Sequence, residues 1–239
     1  MIAKTNANVS MPPHFKPSTS GKPKAVTKAA TKAAPKAAKA NNRIRIIGGT
    51  WRSRVIVFPD VDGLRPTANR VRETLFNWLG QSLHGKRCLD LFAGSGALGF
   101  EAASRGAADV AMLEVNAAAL AALKINQQTL AAKACRVIAI DALKFLDRDG
   151  EKFDIVFVDP PFTSGLMALI LRKLPTHLAN DGLVYAEWGT PIAALLVTQP
   201  DLPLEIAKQG IAGAVHFAIL RIRSVVVLPP RPIRSENKT

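Results

Sequence analysis

The stretch DLFAGSGALGFEA (residues 90–102) closes an apolar run, RCLDLF (87–92), and opens an alanine- and leucine-rich segment. Its Gly94, Gly96 and Gly99 spell G-x-G-x-x-G. Without a Cβ, such positions permit a tight turn and let a ligand approach the backbone at a helix N-terminus. Outward from this loop, further apolar runs follow at DVAMLE (109–114), CRVIAID (135–141), FDIVFVD (153–159) and GLVYAEW (182–188). Helical stretches such as ALGFEAASRG and NAAALAALKINQQTL separate them. Strands without polar alternation, spaced by helices, predict a parallel sheet covered on both faces. A last pair near 203–209 and 214–223 completes it as an antiparallel hairpin. The expected fold is therefore α/β, a Rossmann-like doubly wound and mostly parallel sheet of seven strands.

The chain has 239 residues, 48% of them hydrophobic, enough for one substantial core. Cys88 and Cys135 lie far apart inside apolar runs and read as reduced core thiols, which points to a cytoplasmic compartment. No apolar stretch approaches the roughly 20 residues a bilayer span needs, so no membrane association is expected. The formal net charge is +14, and residues 1–40 carry eight lysines and no acid. The segment TKAATKAAPKAAKA within it has no apolar side chain larger than alanine and is expected to be disordered. It reads as a solvated extension, a phosphate-attracting arm, a transit peptide, or sequence upstream of a start at Met11. The predicted organisation is a tail over 1–42, an N-terminal hairpin and helix over 43–83, the α/β domain over 84–225, and a flexible tail over 226–239.

RIRIIGG (43–49) and SRVIVFP (53–59) predict two short strands around Gly48-Gly49, and NRVRETLFNWLGQSL (69–83) an amphipathic helix. Seven arginines (Arg43, Arg45, Arg52, Arg54, Arg65, Arg70 and Arg72) fall within 43–72 against two acids. Arg43 and Arg45 are expected on one strand face and Arg52 and Arg54 on the next, presenting planar donors to nucleic-acid phosphates. Trp51 at the turn either stacks on a base or packs locally.

Glu114 ends the second strand, where a carboxylate can accept both hydroxyls of a ribose. Asp141 ends the third, either as a partner for an adenine amine or as a helix N-cap. With Asp90 and Asp159 these acids mark the strand ends where open α/β sheets bind ligands. A dinucleotide and S-adenosylmethionine (SAM) both use such a loop. VFVDPPF (156–162) favours the second. Pro160 and Pro161 fix φ and remove two N–H donors, so the Asp159 carboxylate and the Pro160 carbonyl form a rigid pair of acceptors. Such a pair can hold both hydrogens of an exocyclic amine and aim its lone pair at an electrophilic methyl group, while Phe162 offers a face for a flipped-out base. No metal is required, and nothing demands more than a monomer. His84, His177 and His216 show no ligand spacing.

VFVDPPF resembles the [DN]-P-P-[FYW] motif of amino-methyltransferases, and LDLFAGSGALGFEAASRGA resembles their SAM-binding loop. RIIGGTWRSR and GLRPTANRVRETLFNWL, together with both motifs, resemble the RsmD family, bacterial enzymes that methylate a guanine N2 amine in 16S rRNA; the likeness covers about 43–222. The resemblance implies a class I SAM-dependent methyltransferase fold and a substrate that is 16S rRNA or an assembling 30S subunit. It further implies that Asp90, Phe92, Ala93, Gly94, Ser95 and Gly96 hold the methionine end of SAM. Glu114 then holds the ribose, Asp141 and Ala142 the adenine, and Asp159, Pro160, Pro161 and Phe162 the guanine. Glu187 is followed by Trp188, where the family often has a more polar stretch, and is read as a strand-end carboxylate without a catalytic role. The competing expectations are methylation of adenine N6 in DNA or of a protein glutamine, and an NAD-dependent oxidoreductase.

Overall fold

The computed structural model describes residues 42–61, 67–148 and 150–223. The expectations for Arg65, for the tail before residue 42 and for the tail from 226 lie outside these residues.

A two-stranded ribbon comes first, β1 (Asn42–Arg45) antiparallel to β2 (Val55–Phe58), followed by α1 (Asn69–Leu79). Alternation then sets in: β3 (Arg87–Asp90), α2 (Ala97–Ser104), β4 (Asp109–Glu114), α3 (Ala117–Leu130), β5 (Cys135–Ala139), α4 (Ala142–Leu146), β6 (Phe153–Val158), α5 (Met167–Lys173) and β7 (Leu178–Trp188). The chain closes with α6 (Ile192–Thr198), β8 (Leu204–Ala212) and β9 (Val215–Ile222). The sheet runs β5-β4-β3-β6-β7-β9-β8, parallel except for β9, which is antiparallel to both neighbours. Strand order reverses between β3 and β6, and such a switch point opens a crevice at the carboxyl ends.

Period-two alternation sorts the buried strand residues onto two faces. Cys88, Val110, Met112, Ile155, Phe157 and Tyr185 meet Phe100 of α2, Leu123 of α3 and Leu75 and Phe76 of α1. Leu89, Leu113, Val156, Val158 and Val184 meet Phe145 of α4, Ile170 of α5 and Ile192 of α6. Ile44, Ile46, Ile56 and Phe58 of the ribbon belong to the first of these clusters, so the ribbon and α1 share the core of the sheet.

The ribbon is fixed by hydrogen bonds. Glu101, fully buried on α2, accepts from the backbone N–H of Ile47 and of Gly48 (both 2.8 Å) and from the guanidinium groups of Arg105 (2.8 Å) and Arg72 (3.4 Å). Ser104 donates to the Gly48 carbonyl (2.6 Å) and accepts from Trp51 N–H (2.9 Å). Gly49 has φ +76°, and a Cβ there would lie 1.8 Å from the Ser104 carbonyl oxygen. Only glycine lets the two backbones approach this closely. On the ribbon's other side the Asn126 amide of α3 accepts from Val57 N–H (3.1 Å) and donates to Val57 C=O (2.8 Å).

Candidate active site

The glycine loop leaves β3 and turns into α2 in three steps, each with a distinct cause. Gly94 and Gly96 have φ of 49° and 81°, in the left-handed region. A Cβ on Gly99 would lie 2.8 Å from Met112, so the third glycine lets α2 sit close on β4. Asp90 is buried beneath the loop and accepts from Gly99 N–H (3.1 Å). Burial outweighs its amide partners Gly99 and Phe92 and pushes its carboxyl up to about 7. Ala93 and Ser95 are buried within the loop, Phe92 is half-buried, and Ala142 is buried as the first residue of α4.

Glu114, at the end of β4, accepts from Gly94 N–H (2.9 Å) through one oxygen and from Val115 and Asn116 N–H (2.8 and 2.7 Å) through the other. It ties the loop to the neighbouring strand, and three accepted bonds leave its oxygens with acceptor capacity to spare. Asp141 is the N-cap of α4: one oxygen accepts from Leu143 and Lys144 N–H (3.0 and 3.1 Å). The capping alternative is thus realised, and it engages a single carboxylate oxygen.

Asp159 follows β6 directly. Since Val158 pairs with Ala186 in the parallel β6–β7 register, the next step places Asp159 beside Glu187 on the same face. Glu187 is buried and accepts from the Tyr185 hydroxyl at 2.6 Å. Its carboxyl is raised by burial, an effect opposed by the hydroxyls of Tyr185 and Thr67. Burial raises Asp159 well above the carboxylate range, and the charges of Glu187 and then Asp90 add to it. The sequence reads Glu187 as a strand-end carboxylate without a catalytic role because Trp188 follows it, whereas the β6–β7 register brings it beside Asp159. After Asp159, Pro160 is buried, and the turn closes from Ser164 N–H onto the Pro161 carbonyl (2.9 Å) rather than onto that of Pro160. Phe162 is 43% exposed and meets Trp188 edge-on, with ring centroids 5.7 Å apart.

Five carboxylates, Asp90, Glu114, Asp141, Asp159 and Glu187, therefore line the carboxyl edge of one sheet. A diphosphate would meet a row of acceptor oxygens there, whereas a nucleoside bearing hydroxyl and amine donors and a cationic sulfonium suits such a set of acceptors. The family model described as Conserved hypothetical protein 95 matches residues 44–221. Ribosomal RNA small subunit methyltransferase D of Escherichia coli is 48% identical over 181 residues, spanning 75% of this chain and 90% of that relative. The chain belongs to the RsmD family. The Haemophilus influenzae relative of the same name is 44% identical over 192 residues, covering 75% of this chain and 94% of its own length. The solved structure of the putative methyltransferase yhhF from Escherichia coli superposes with a TM-score of 0.67 at 39% identity, covering 77% of this chain and all of that one. The RsmD fold is accordingly the class I methyltransferase fold, as its strand order requires.

The arginine-rich block of this RsmD-family chain divides in two. Arg43 and Arg45 project from one face of β1 as expected, and with Ile44, Val55 and Asn69 they line an open cleft of about 440 Å³. Arg70 is also exposed. The other strand face is corrected: β2 starts at Val55, so Arg52 lies in the turn and Arg54 just before the strand, donating to the Thr129 carbonyl (2.6 Å). Arg72 is corrected as well. It is fully buried, bound to Glu101, to the Arg45 carbonyl (3.0 Å) and to Asn69 (2.7 Å), so it braces the ribbon and offers nothing to solvent. Trp51 packs half-buried against the core cluster, the local alternative of its two readings. Cys88 and Cys135 are free and buried, and burial pushes both thiols up to about 12. Among the described residues there is no cluster of metal-ligand side chains, and no helix is long and apolar enough to cross a membrane.

Proposed function

We propose that the protein methylates the exocyclic N2 amine of a guanine in 16S rRNA, with SAM as the methyl donor. The observation that carries this reading is the Asp159–Pro160 acceptor pair beside the half-exposed Phe162 ring, one strand away from the glycine loop. Asp90 to Gly96 would hold the methionine end of SAM, Glu114 the ribose and Asp141 the adenine amine through its second oxygen. When bound, SAM supplies an electrophilic methyl group on a sulfonium centre. The chain's own groups do the positioning. The Asp159 carboxylate and Pro160 carbonyl accept the two N2 hydrogens, which localises the nitrogen lone pair and aligns it. Phe162, braced by Trp188, stacks on the flipped base, a contact worth about 1–3 kcal/mol. No strong base is needed, because the amine becomes acidic once alkylated and its proton then passes to solvent or to Asp159. Arg43, Arg45, Arg52, Arg54 and Arg70 hold the RNA backbone.

Curated RsmD relatives bear the name of small-subunit rRNA methyltransferases, which supports rRNA over DNA or protein as substrate. The test is incubation with methyl-labelled SAM and separated 16S rRNA, 30S subunits, DNA and ribosomal protein, followed by mass spectrometry of nucleosides. Label in N2-methylguanosine of 16S rRNA is the expected result. Label confined to DNA or protein, or N6-methyladenosine as product, overturns the proposal.

A further inference from the structure

The Asp159–Pro160 pair satisfies the two hydrogens of an amine and leaves Glu187 unexplained. This second carboxylate is buried at the carboxyl end of β7, on the same face and in the same register row as Asp159. Neighbouring parallel strands are about 4.8 Å apart, so the two acids converge on one ligand edge. The Tyr185 hydroxyl fixes one Glu187 oxygen at 2.6 Å, and the Tyr185 ring is itself packed between Phe157 and Phe217. Trp188, the next residue, carries the ring that backs Phe162. Glu187 is thus held on the Asp159 side of the sheet by the Tyr185 hydroxyl, with the Thr67 hydroxyl also bonded to it, and its two oxygens keep acceptor capacity beyond these bonds. Two hydroxyls do not fill the acceptor sites of a carboxylate, and at the ligand edge of the sheet the remaining lone pairs suit a donor on the substrate.

Guanine supplies one. Its edge carries N1–H directly beside the N2 amine, two donor groups in a row, whereas adenine sets a bare N1 acceptor beside its N6 amine. We infer that Glu187 accepts the guanine N1–H while Asp159 and Pro160 hold N2, so that the Glu187–Asp159 pair selects guanine over any amino-purine lacking N1–H. This inference rests on the guanine N2 reading above and adds to it the residue that sets base identity. Adenine or 2-aminopurine in the same place would set an unprotonated nitrogen against a Glu187 lone pair, acceptor facing acceptor.

The test uses 30S subunits whose methylated position carries either guanine or 2-aminopurine, which keeps the C2 amine but has no N1–H. The quantity read is the ratio of kcat/KM on the two substrates. Wild-type enzyme should prefer guanine by on the order of ten- to a hundredfold. Glu187→Gln can turn its NH2 toward the bare N1, so its ratio should fall toward one even if both rates drop. Tyr185→Phe, which frees Glu187 without removing it, should give an intermediate ratio and serves if the glutamine variant does not fold. A ratio equal to wild type in the variants, whatever the absolute loss of rate, overturns the assignment. Wild-type enzyme that labels neither base at N2 overturns the guanine reading itself, and this inference with it.

Discussion

Replacing Glu101 by glutamine tests whether the N-terminal ribbon is held by a buried charge. The Glu101 carboxylate accepts four hydrogen bonds at full burial, from two ribbon amides and from Arg72 and Arg105. A carboxamide keeps the shape, but it offers one acceptor oxygen and turns an NH2 against these donors. The Arg72 guanidinium, whose charged form burial already disfavours, then loses the counter-charge that sustains it. Breaking a buried ion pair this way costs about 3–5 kcal/mol. For a folded unit of this size each kcal/mol lowers Tm by about 2–4 °C, so the expected fall is roughly 6–20 °C. Circular dichroism melts of the full chain measure it, with Glu205→Gln as control. That residue pairs with Arg221 at 2.7 Å while their side chains are 36% and 59% exposed, and its loss should cost less than about 1 kcal/mol. Equal melting shifts in the two variants would refute the reasoning.

Gly49→Ala should destabilise far more than Gly85→Ala, although both glycines have φ near +75°. At Gly85 nothing lies within 4 Å, so the cost is left-handed strain of about 1–2 kcal/mol, while at Gly49 collision with Ser104 adds about 1–3 kcal/mol; denaturant titration compares the two. The kcat/KM for methyl transfer should rise with pH along a limb above the ordinary carboxylate range, because protonating Asp159 or Glu187 removes an acceptor and both are raised by burial. Glu187→Gln removes the like charge beside Asp159 and should move that limb to lower pH; a limb that stays or moves up contradicts the coupling. Asp90→Asn should gain stability over wild type as pH rises from 4 to 8. Native Asp90, at about 7 against 3.8, keeps a proton the unfolded chain releases, so the wild type loses up to roughly 4 kcal/mol across that window. A pH-independent difference in Tm would exclude this. Arg43→Ala should weaken RNA binding with a salt slope smaller by about one, whereas Arg72→Met should lower Tm without changing the slope; filter binding across salt concentrations separates them.

The glycine loop, the strand runs and the DPPF turn were legible because each depends on residues adjacent in sequence. The doubly wound class followed too, since runs without polar alternation, spaced by helices, leave few arrangements other than a sheet covered on both faces. What escaped depends on pairs distant in the chain. Arg72 sits in a basic stretch and reads as surface, yet its partner Glu101 lies 29 residues on. The available signal was on the other side: α2, ALGFEAAS, is buried along its whole length, and a lone acid inside such a helix demands a cation. Glu187 gave a weaker signal, because a strand-end acid looks the same whether or not the next strand ends in another. Arg52 and Arg54 were placed on a strand because the Gly48-Gly49 turn was read as tight. The connection from Ile46 to Arg54 instead folds back on itself, with Ser53 N–H bonded to the Ile46 carbonyl and Ile46 N–H to that of Arg54.

The Asn126 amide clasp on Val57 bears on how these molecules coexist at high concentration. A two-stranded ribbon has two open edges, and each invites a strand from another chain to extend it. Asn126 occupies both the donor and the acceptor of Val57, so it acts as a third strand one residue long. An incoming chain finds no free backbone pair there from which to zip. The opposite strand carries Arg43 and Arg45, whose charges repel a second copy of the same strand. The ribbon is thereby closed to its own kind, and aggregation is discouraged without burying the arginines proposed to meet RNA.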